Sequence, residues 1–155
     1  MGPDKRIIIG MLVLRAGNMQ ISPRAVLETS LYVEDLKRAI AFYKNVLGLR
    51  KIDDFPGGRG AAMQVGPGPS VLLLFCAEVT RITGTFPPHG TVGHGHMAFR
   101  VERDEVDAWR QRLREHAIAI ERELTFGDNP PSLYFRDPDG NSLELAVAEI
   151  WPFEK

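Results

Sequence analysis

The chain has 155 residues, enough for one domain or two small halves sharing a core, and its 44% hydrophobic and 25% charged residues are ordinary globular usage. Nineteen Lys and Arg against twenty Asp and Glu give a formal net charge of −1 with no basic block, which argues against nucleic acid and anionic membrane surfaces. A small molecule or another subunit is the expected partner. The single cysteine, Cys76, excludes an intrachain disulfide and a cysteine-rich zinc site, and a reducing, cytoplasmic location is expected.

Residues 1 to 22 hold an apolar run, Ile7 to Leu14, that is too short to span a bilayer and lacks a convincing cleavage site after it; they read as an N-terminal extension. From Ala25 the chain is regular. AVLETSLYV (25 to 33) predicts a strand, and DLKRAIAFYKNVLG (35 to 48) predicts a helix with Leu36, Ile40, Tyr43 and Leu47 on one face, Asp35 as N-cap and Gly48 as stop. LRKIDDF, GAAMQV and SVLLLFCAEV predict three strands separated by PGG and GPGP turns. The Pro/Gly-rich TGTFPPHGTVG (83 to 93) reads as a linker. Beyond it, HMAFRV (96 to 101) predicts a strand, and RDEVDAWRQRLREHA (103 to 117) a helix with Val106, Trp109 and Leu113 on one face. IAIERELTF, SLYFRD and NSLELAVAE follow as strands, the DPDG turn at 137 to 140 joining the last two as a hairpin.

The second half repeats the first. ETSLYVE (28 to 34) overlays HMAFRVE (96 to 102), with a helix and three strands after each, so Glu28 and His96 take equivalent positions in two βαβββ units. Side chains alternate faces along a strand. That parity sets Glu28, Ser30 and Tyr32 opposite Leu31 and Val33, and His96, Ala98 and Arg100 opposite Met97 and Phe99. In the closing hairpin Tyr134, Arg136, Ser142 and Glu144 oppose Leu133, Phe135, Leu143 and Leu145. Glu28, His96 and Glu144 therefore share the face turned away from the helices.

LYVEDLKRAIAFYKNVLGL, GHMAFRV and SLYFRDPDGNSLEL together resemble the vicinal oxygen chelate superfamily of glyoxalases, bleomycin-resistance proteins and extradiol dioxygenases, over roughly residues 25 to 149. The resemblance implies an α+β fold of two βαβββ modules forming a curved open sheet with helices on its outer face. It implies one domain over 23 to 155, with module one at 25 to 80, the linker at 83 to 93 and module two at 94 to 149. It also implies a divalent metal held by Glu28, His96 and Glu144, Glu144 carrying the catalytic role as well, and an enzyme of lyase, isomerase or dioxygenase type. Tyr32, Arg100, Tyr134 and Arg136 are the candidate substrate-binding residues on the same face.

Two departures from the family pattern bear on the metal. Glu28 stands where the family usually has histidine or glutamine, giving one imidazole and two carboxylates, a hard set suited to Mn²⁺, Mg²⁺, Fe²⁺, Ni²⁺ or Zn²⁺. The place of a fourth ligand falls within VLLLF (71 to 75), which has only apolar side chains. Glu144, set between Leu143 and Leu145, is costly to bury unless paired or metal-bound. The resemblance also implies a homodimer, because modules in this family pair within one chain or between two; in the exchanged arrangement Glu28 of one subunit joins His96 and Glu144 of its partner.

Plainer readings stand beside these. Arg136 is expected to pair with an acidic neighbour near the DPDG turn, and His89 and His94 to face solvent or the pocket rim. Trp109 reads as a core residue and Cys76 as a small buried hydrophobe. GPGPS (66 to 70) is a turn rather than a phosphate loop, no GxSxG elbow is present, and the helix after His94-x-His96 argues against a cupin. A metal-free drug-binding protein remains the alternative function.

Overall fold

The structure, a computed structural model, describes residues 22–82 and 87–153; the expected N-terminal extension, save residue 22, and part of the expected linker lie outside them. The first unit runs β1 (Glu28–Tyr32), α1 (Leu36–Asn45), β2 (Arg50–Phe55), β3 (Gly60–Val65), β4 (Ser70–Phe75) and a one-turn α2 (Ala77–Thr80). The second runs β5 (His96–Arg100), α3 (Val106–Glu115), β6 (Ile120–Leu124), β7 (Ser132–Arg136) and β8 (Ser142–Ala146). Each unit makes one four-stranded mixed sheet, in the orders β1-β4-β3-β2 and β5-β8-β7-β6. This is the expected α+β fold of two βαβββ modules.

The repeat holds to the residue. In the parallel pairs, Glu28 lies across from Val71 as His96 lies across from Ser142, and Ser30 across from Leu73 as Ala98 lies across from Glu144. Leu73 is thus the counterpart of Glu144, so the apolar VLLLF strand offers no fourth acidic or imidazole ligand there.

Local signals act as expected at most boundaries. The Asp35 side chain accepts from the Arg38 backbone N–H at 2.9 Å, satisfying an orphan donor at the start of α1. Gly48, at φ +71°, supplies the left-handed residue after that helix. One strand is shorter than its apolar pattern suggested: β4 ends at Phe75, and CAEVT turns into α2 instead of continuing the ladder. Cys76 is half-buried at the start of that turn.

The apolar faces of both sheets meet α1 and α3 in one core, which joins Leu31, Phe42, Tyr43, Leu72 and Leu74 to Phe99, Leu113, Leu133, Phe135 and Leu143, with Trp109 packed against it. A polar clasp reinforces this join. Asp137, buried in the DPDG turn, accepts from the Tyr43 hydroxyl at 2.8 Å and from Asn141 Nδ2 at 2.9 Å, while its other oxygen takes the backbone N–H groups of Asp139 and Asn141. Asp139 accepts from the Glu34 N–H, and Asn141 bridges the Tyr32 carbonyl to the Gly95 N–H. Gly95 sits close against this join: an added Cβ would lie 2.8 Å from Leu31 Cδ2 and 3.3 Å from Asn141 Oδ1, so the Leu31 side chain would have to shift. From α3, Arg112 donates to the carbonyls of Asn45 and Val46 at the C-terminal end of α1. The hairpin turn of module two is thereby the lock between modules. No helix among the described residues is long and apolar enough to cross a membrane.

Candidate metal centre and substrate cavity

On the face of the second sheet away from its helix, β5 and β8 set His96 and Glu144 together, with His96 Nε2 3.5 Å from Glu144 Oε2. His96 Nδ1 lies 3.1 Å from the Ser142 carbonyl. A carbonyl only accepts, so Nδ1 carries the hydrogen and, in the neutral ring, Nε2 presents its lone pair to the carboxylate. Two electron-rich atoms facing each other at that distance call for a proton or a cation between or beside them. Glu144 is only 5% exposed, and its Oε1 has no hydrogen-bond partner among the described residues. A buried carboxylate oxygen without a donor is a costly arrangement in a structural residue and a fitting one in a ligand. The residues present therefore fit a hard divalent cation: a pinned imidazole, as metal-ligating histidines have, and a desolvated carboxylate.

Tyr134 on β7, across from Glu144, completes this corner. Its ring stacks on His96 at 6.4 Å between centroids. Partial burial, and then its hydrogen bond to the Glu144 carboxylate, push its phenol up to about 12. It is a neutral, proton-bearing group throughout the physiological range.

Glu28 lies elsewhere. It lines a cavity of about 810 Å³ in the first module, with Ser30, Tyr32, Leu73 and Phe75 from the sheet, Phe55, Pro56 and Arg59 from the end of β2 and the turn after it, and Pro87, Pro88 and His89 from the segment following α2. Its walls are aromatic: Phe55 stacks on Phe75 at 5.5 Å, and the His89 ring meets Phe75 edge-on at 4.7 Å. Its polar end is a chain of contacts. His89 Nδ1 lies 2.7 Å from the Tyr32 hydroxyl, and Arg59 Nη2 lies 3.0 Å from His89 Nε2. Arg59 escaped the sequence reading because it follows a PGG turn with no periodicity to orient it. His89, expected at the rim or in solvent, is half-buried and bonded within the cavity.

The sequence-chosen residues thus fall into two groups. His96, Glu144 and Tyr134 gather on the second sheet, and Glu28 and Tyr32 on the first. Among the described residues no three His, Cys, Asp or Glu side chains come together in a group able to hold a metal. The physical reason is that β1 and β5 belong to separate sheets within one chain. Arg100, exposed and 3.6 Å from Glu102, lines a groove of about 220 Å³ with Ala98, Ala146, Trp151 and Phe153. Arg136 donates to Glu121 at 2.9 Å and to the Gly140 carbonyl at 3.0 Å, the acidic pairing near the turn that its position suggested. His94 is exposed, its ring lying over Gly140 of the same turn.

Comparison with known proteins agrees with this architecture. The family model for the Glyoxalase/Bleomycin resistance protein/Dioxygenase superfamily matches residues 25–145. Lactoylglutathione lyase of Salmonella typhimurium is 31% identical over 128 residues, which are 80% of this chain and 93% of that protein. Catechol-2,3-dioxygenase of Bacillus subtilis is 34% identical over 121 residues, 74% of this chain and 38% of the relative. The crystal structure of lactoylglutathione lyase from Agrobacterium tumefaciens matches with a TM-score of 0.78 at 36% identity, covering 86% of this chain and all of the other.

Proposed function

The chain belongs to the Glyoxalase/Bleomycin resistance protein/Dioxygenase superfamily, and from that premise we propose that it is a divalent-metal-dependent enzyme acting on a small molecule through two neighbouring substrate oxygens. Lyase or isomerase chemistry is favoured over oxygen insertion by the similarity to two lactoylglutathione lyases along most of their length. The observation that carries the reading is the buried, half-unpartnered Glu144 carboxylate facing His96 Nε2.

The bound ion would supply a Lewis acid that stabilises negative charge developing on the substrate oxygens. Ser142 fixes the His96 tautomer through its carbonyl, so the ring offers a lone pair without rearrangement. Glu144 supplies the compensating charge and, in its catalytic role, an oxygen positioned to exchange a proton with the substrate. Tyr134 keeps its proton and donates to whatever oxygen lies beside Glu144. Glu28 completes the ligand set from a second copy of the chain: each monomer carries a Glu28 half-site and a His96–Glu144 half-site on different sheets, and a two-fold dimer joins them in pairs.

A second reading, metal-free binding of a drug-like molecule, draws on the aromatic cavity of module one, which has its own walls apart from His96. Metal titration separates the two. Chelator-stripped protein should take up Mn²⁺ at one ion per chain, with His96→Ala and Glu144→Ala each losing it. No stoichiometric binding of Mn²⁺, Fe²⁺ or Zn²⁺ by wild type overturns the enzyme reading.

A further inference from the structure

We infer that the module-one cavity binds a flat, two-ring aromatic molecule bearing a carboxylate or similar oxyanion, held at its far end by the Tyr32 hydroxyl, which an Arg59–His89 relay aims into the cavity.

The direction of the relay follows from donor chemistry. A guanidinium only donates, so at 3.0 Å from Arg59 Nη2 the His89 Nε2 atom must accept. A neutral imidazole accepting at Nε2 carries its hydrogen on Nδ1, and at 2.7 Å that hydrogen goes to the Tyr32 oxygen. Tyr32 is then the acceptor in its contact with His89, and its own hydroxyl hydrogen is left for a group inside the cavity it lines. The residue that sets this polarity is itself fixed: the His89 backbone N–H donates to the Thr80 carbonyl, and Phe75 packs against the ring. Reversing the sense would set the His89 hydrogen against a guanidinium that has no lone pair.

The shape of the occupant follows from the walls. Phe55 and Phe75 form a stacked pair, and Leu73, Pro56, Pro87 and Pro88 close the rest, a lining that favours flat apolar bodies. Glu28 and Tyr32 lie on one face of β1 four residues apart, about 13 Å at the usual strand rise. Two linked rings with an acceptor at one end span that interval. Arg59 supplies positive charge behind the relay, 5.8 Å from the Phe75 centroid, so the acceptor is better anionic than neutral. The inference rests on the proposed function for one point, that the reacting oxygens sit at the Glu28 end.

The test uses biphenyl-4-carboxylate and its neutral analogue biphenyl-4-carboxamide, titrated calorimetrically into full-length, chelator-stripped protein. The carboxylate should bind at least tenfold tighter than the amide. Tyr32→Phe and Arg59→Gln should each weaken the carboxylate about tenfold; the amide, whose carbonyl accepts only a neutral hydrogen bond, should lose less than the carboxylate with Tyr32→Phe and stay within twofold with Arg59→Gln. Retention of the amide by Arg59→Gln distinguishes a lost charge from a collapsed cavity. Equal binding of the two probes by wild type, binding of neither, or undiminished carboxylate binding by Tyr32→Phe overturns the inference. Mn²⁺ titration of the same preparations keeps the two ideas apart: carboxylate preference without metal uptake sinks the enzyme reading alone, and metal uptake without carboxylate preference sinks this one alone.

Discussion

Replacing Glu144 by leucine should make the metal-free protein more stable, and the expected size follows from its surroundings. The carboxylate is 5% exposed, Oε1 has no donor among the described residues, and the carboxylate has the Tyr134 phenol as its one hydrogen-bond partner, with Oε2 3.5 Å from an imidazole nitrogen, beyond ordinary hydrogen-bond length. Leaving a buried polar group unsatisfied costs about 1–3 kcal/mol, and more when it is charged. Glu144→Leu removes that charge at similar volume. In chelator, at one fixed protein concentration, it should gain about 1–3 kcal/mol, a rise in Tm of roughly 2–12 °C for a chain of this size. Manganese should close or reverse the gap: at a hundredfold excess over its dissociation constant wild type gains about 2.7 kcal/mol and the variant gains nothing. The assay is thermal unfolding with chelator and then with Mn²⁺. A variant that unfolds at lower temperature in chelator would show that Glu144 is structurally satisfied, and the case for it as a ligand would lose its physical basis.

Tyr43→Phe removes a buried donor to Asp137 and should cost about 1.5–3 kcal/mol in urea unfolding, because a hydrogen bond to a charged group is lost across the module join; a change under about 0.5 kcal/mol would mean the clasp is redundant. Stability should be complete below about pH 10 and fall as pH rises further, because Tyr43 and Tyr134 hold their protons above the ordinary tyrosine value of about 10 and the unfolded chain releases them first. For Tyr43 the causes are burial and then Asp137; for Tyr134 they are burial and then Glu144. Urea midpoints between pH 8 and 11 should show the fall, and Tyr43→Phe should flatten it. Arg112→Leu strips two carbonyl contacts from the C-terminal end of α1 and should cost about 1–2 kcal/mol, with Arg112→Lys in between; equal stability of all three proteins in the same urea assay would show that the cap is idle.

The sequence exposed the modules because each carries its own periodicity: a two-residue alternation in the strands, a helical stripe in 36–45 and 106–115, and turn chemistry between them. Parity alone placed Glu28, His96 and Glu144 on the faces where the structure has them, and the strand registers bear out the pairing of Glu28 with His96. What parity cannot carry is the path between elements. Whether β1 and β5 share a sheet depends on how the segment at 83–93 and the DPDG turn direct the chain, and neither has a repeating pattern. For the same reason Arg59 and His89, both on irregular backbone, gave no sign that they meet Tyr32. The DPDG turn itself was legible as a turn but not as a lock, because Tyr43 and Glu34 are distant in sequence from Asp137 and Asp139. CAEVT misled for a different reason: its apolar residues continue the strand pattern, while the backbone of Val79 and Thr80 bonds back to Cys76.

The duplicated architecture makes the assembly testable without knowing the substrate. If each metal centre combines Glu28 of one subunit with His96 and Glu144 of the other, a Glu28→Ala dimer lacks the first ligand in both centres, and a Glu144→Ala dimer lacks the third in both. In a mixed dimer the defects fall together. One centre takes both substitutions, while the other joins the intact module one of the Glu144→Ala chain to the intact module two of the Glu28→Ala chain. Random re-pairing makes half of the dimers mixed, each with one whole centre of two, so about a quarter of wild-type Mn²⁺ uptake should return on mixing. Centres built within one chain predict no recovery at any mixing ratio, because every chain then carries one damaged centre of its own. Co-refolding the two variants in equal amounts and titrating Mn²⁺ therefore decides between exchanged and self-contained modules, and absence of recovery in a preparation shown by sedimentation to be dimeric would rule out the exchanged arrangement.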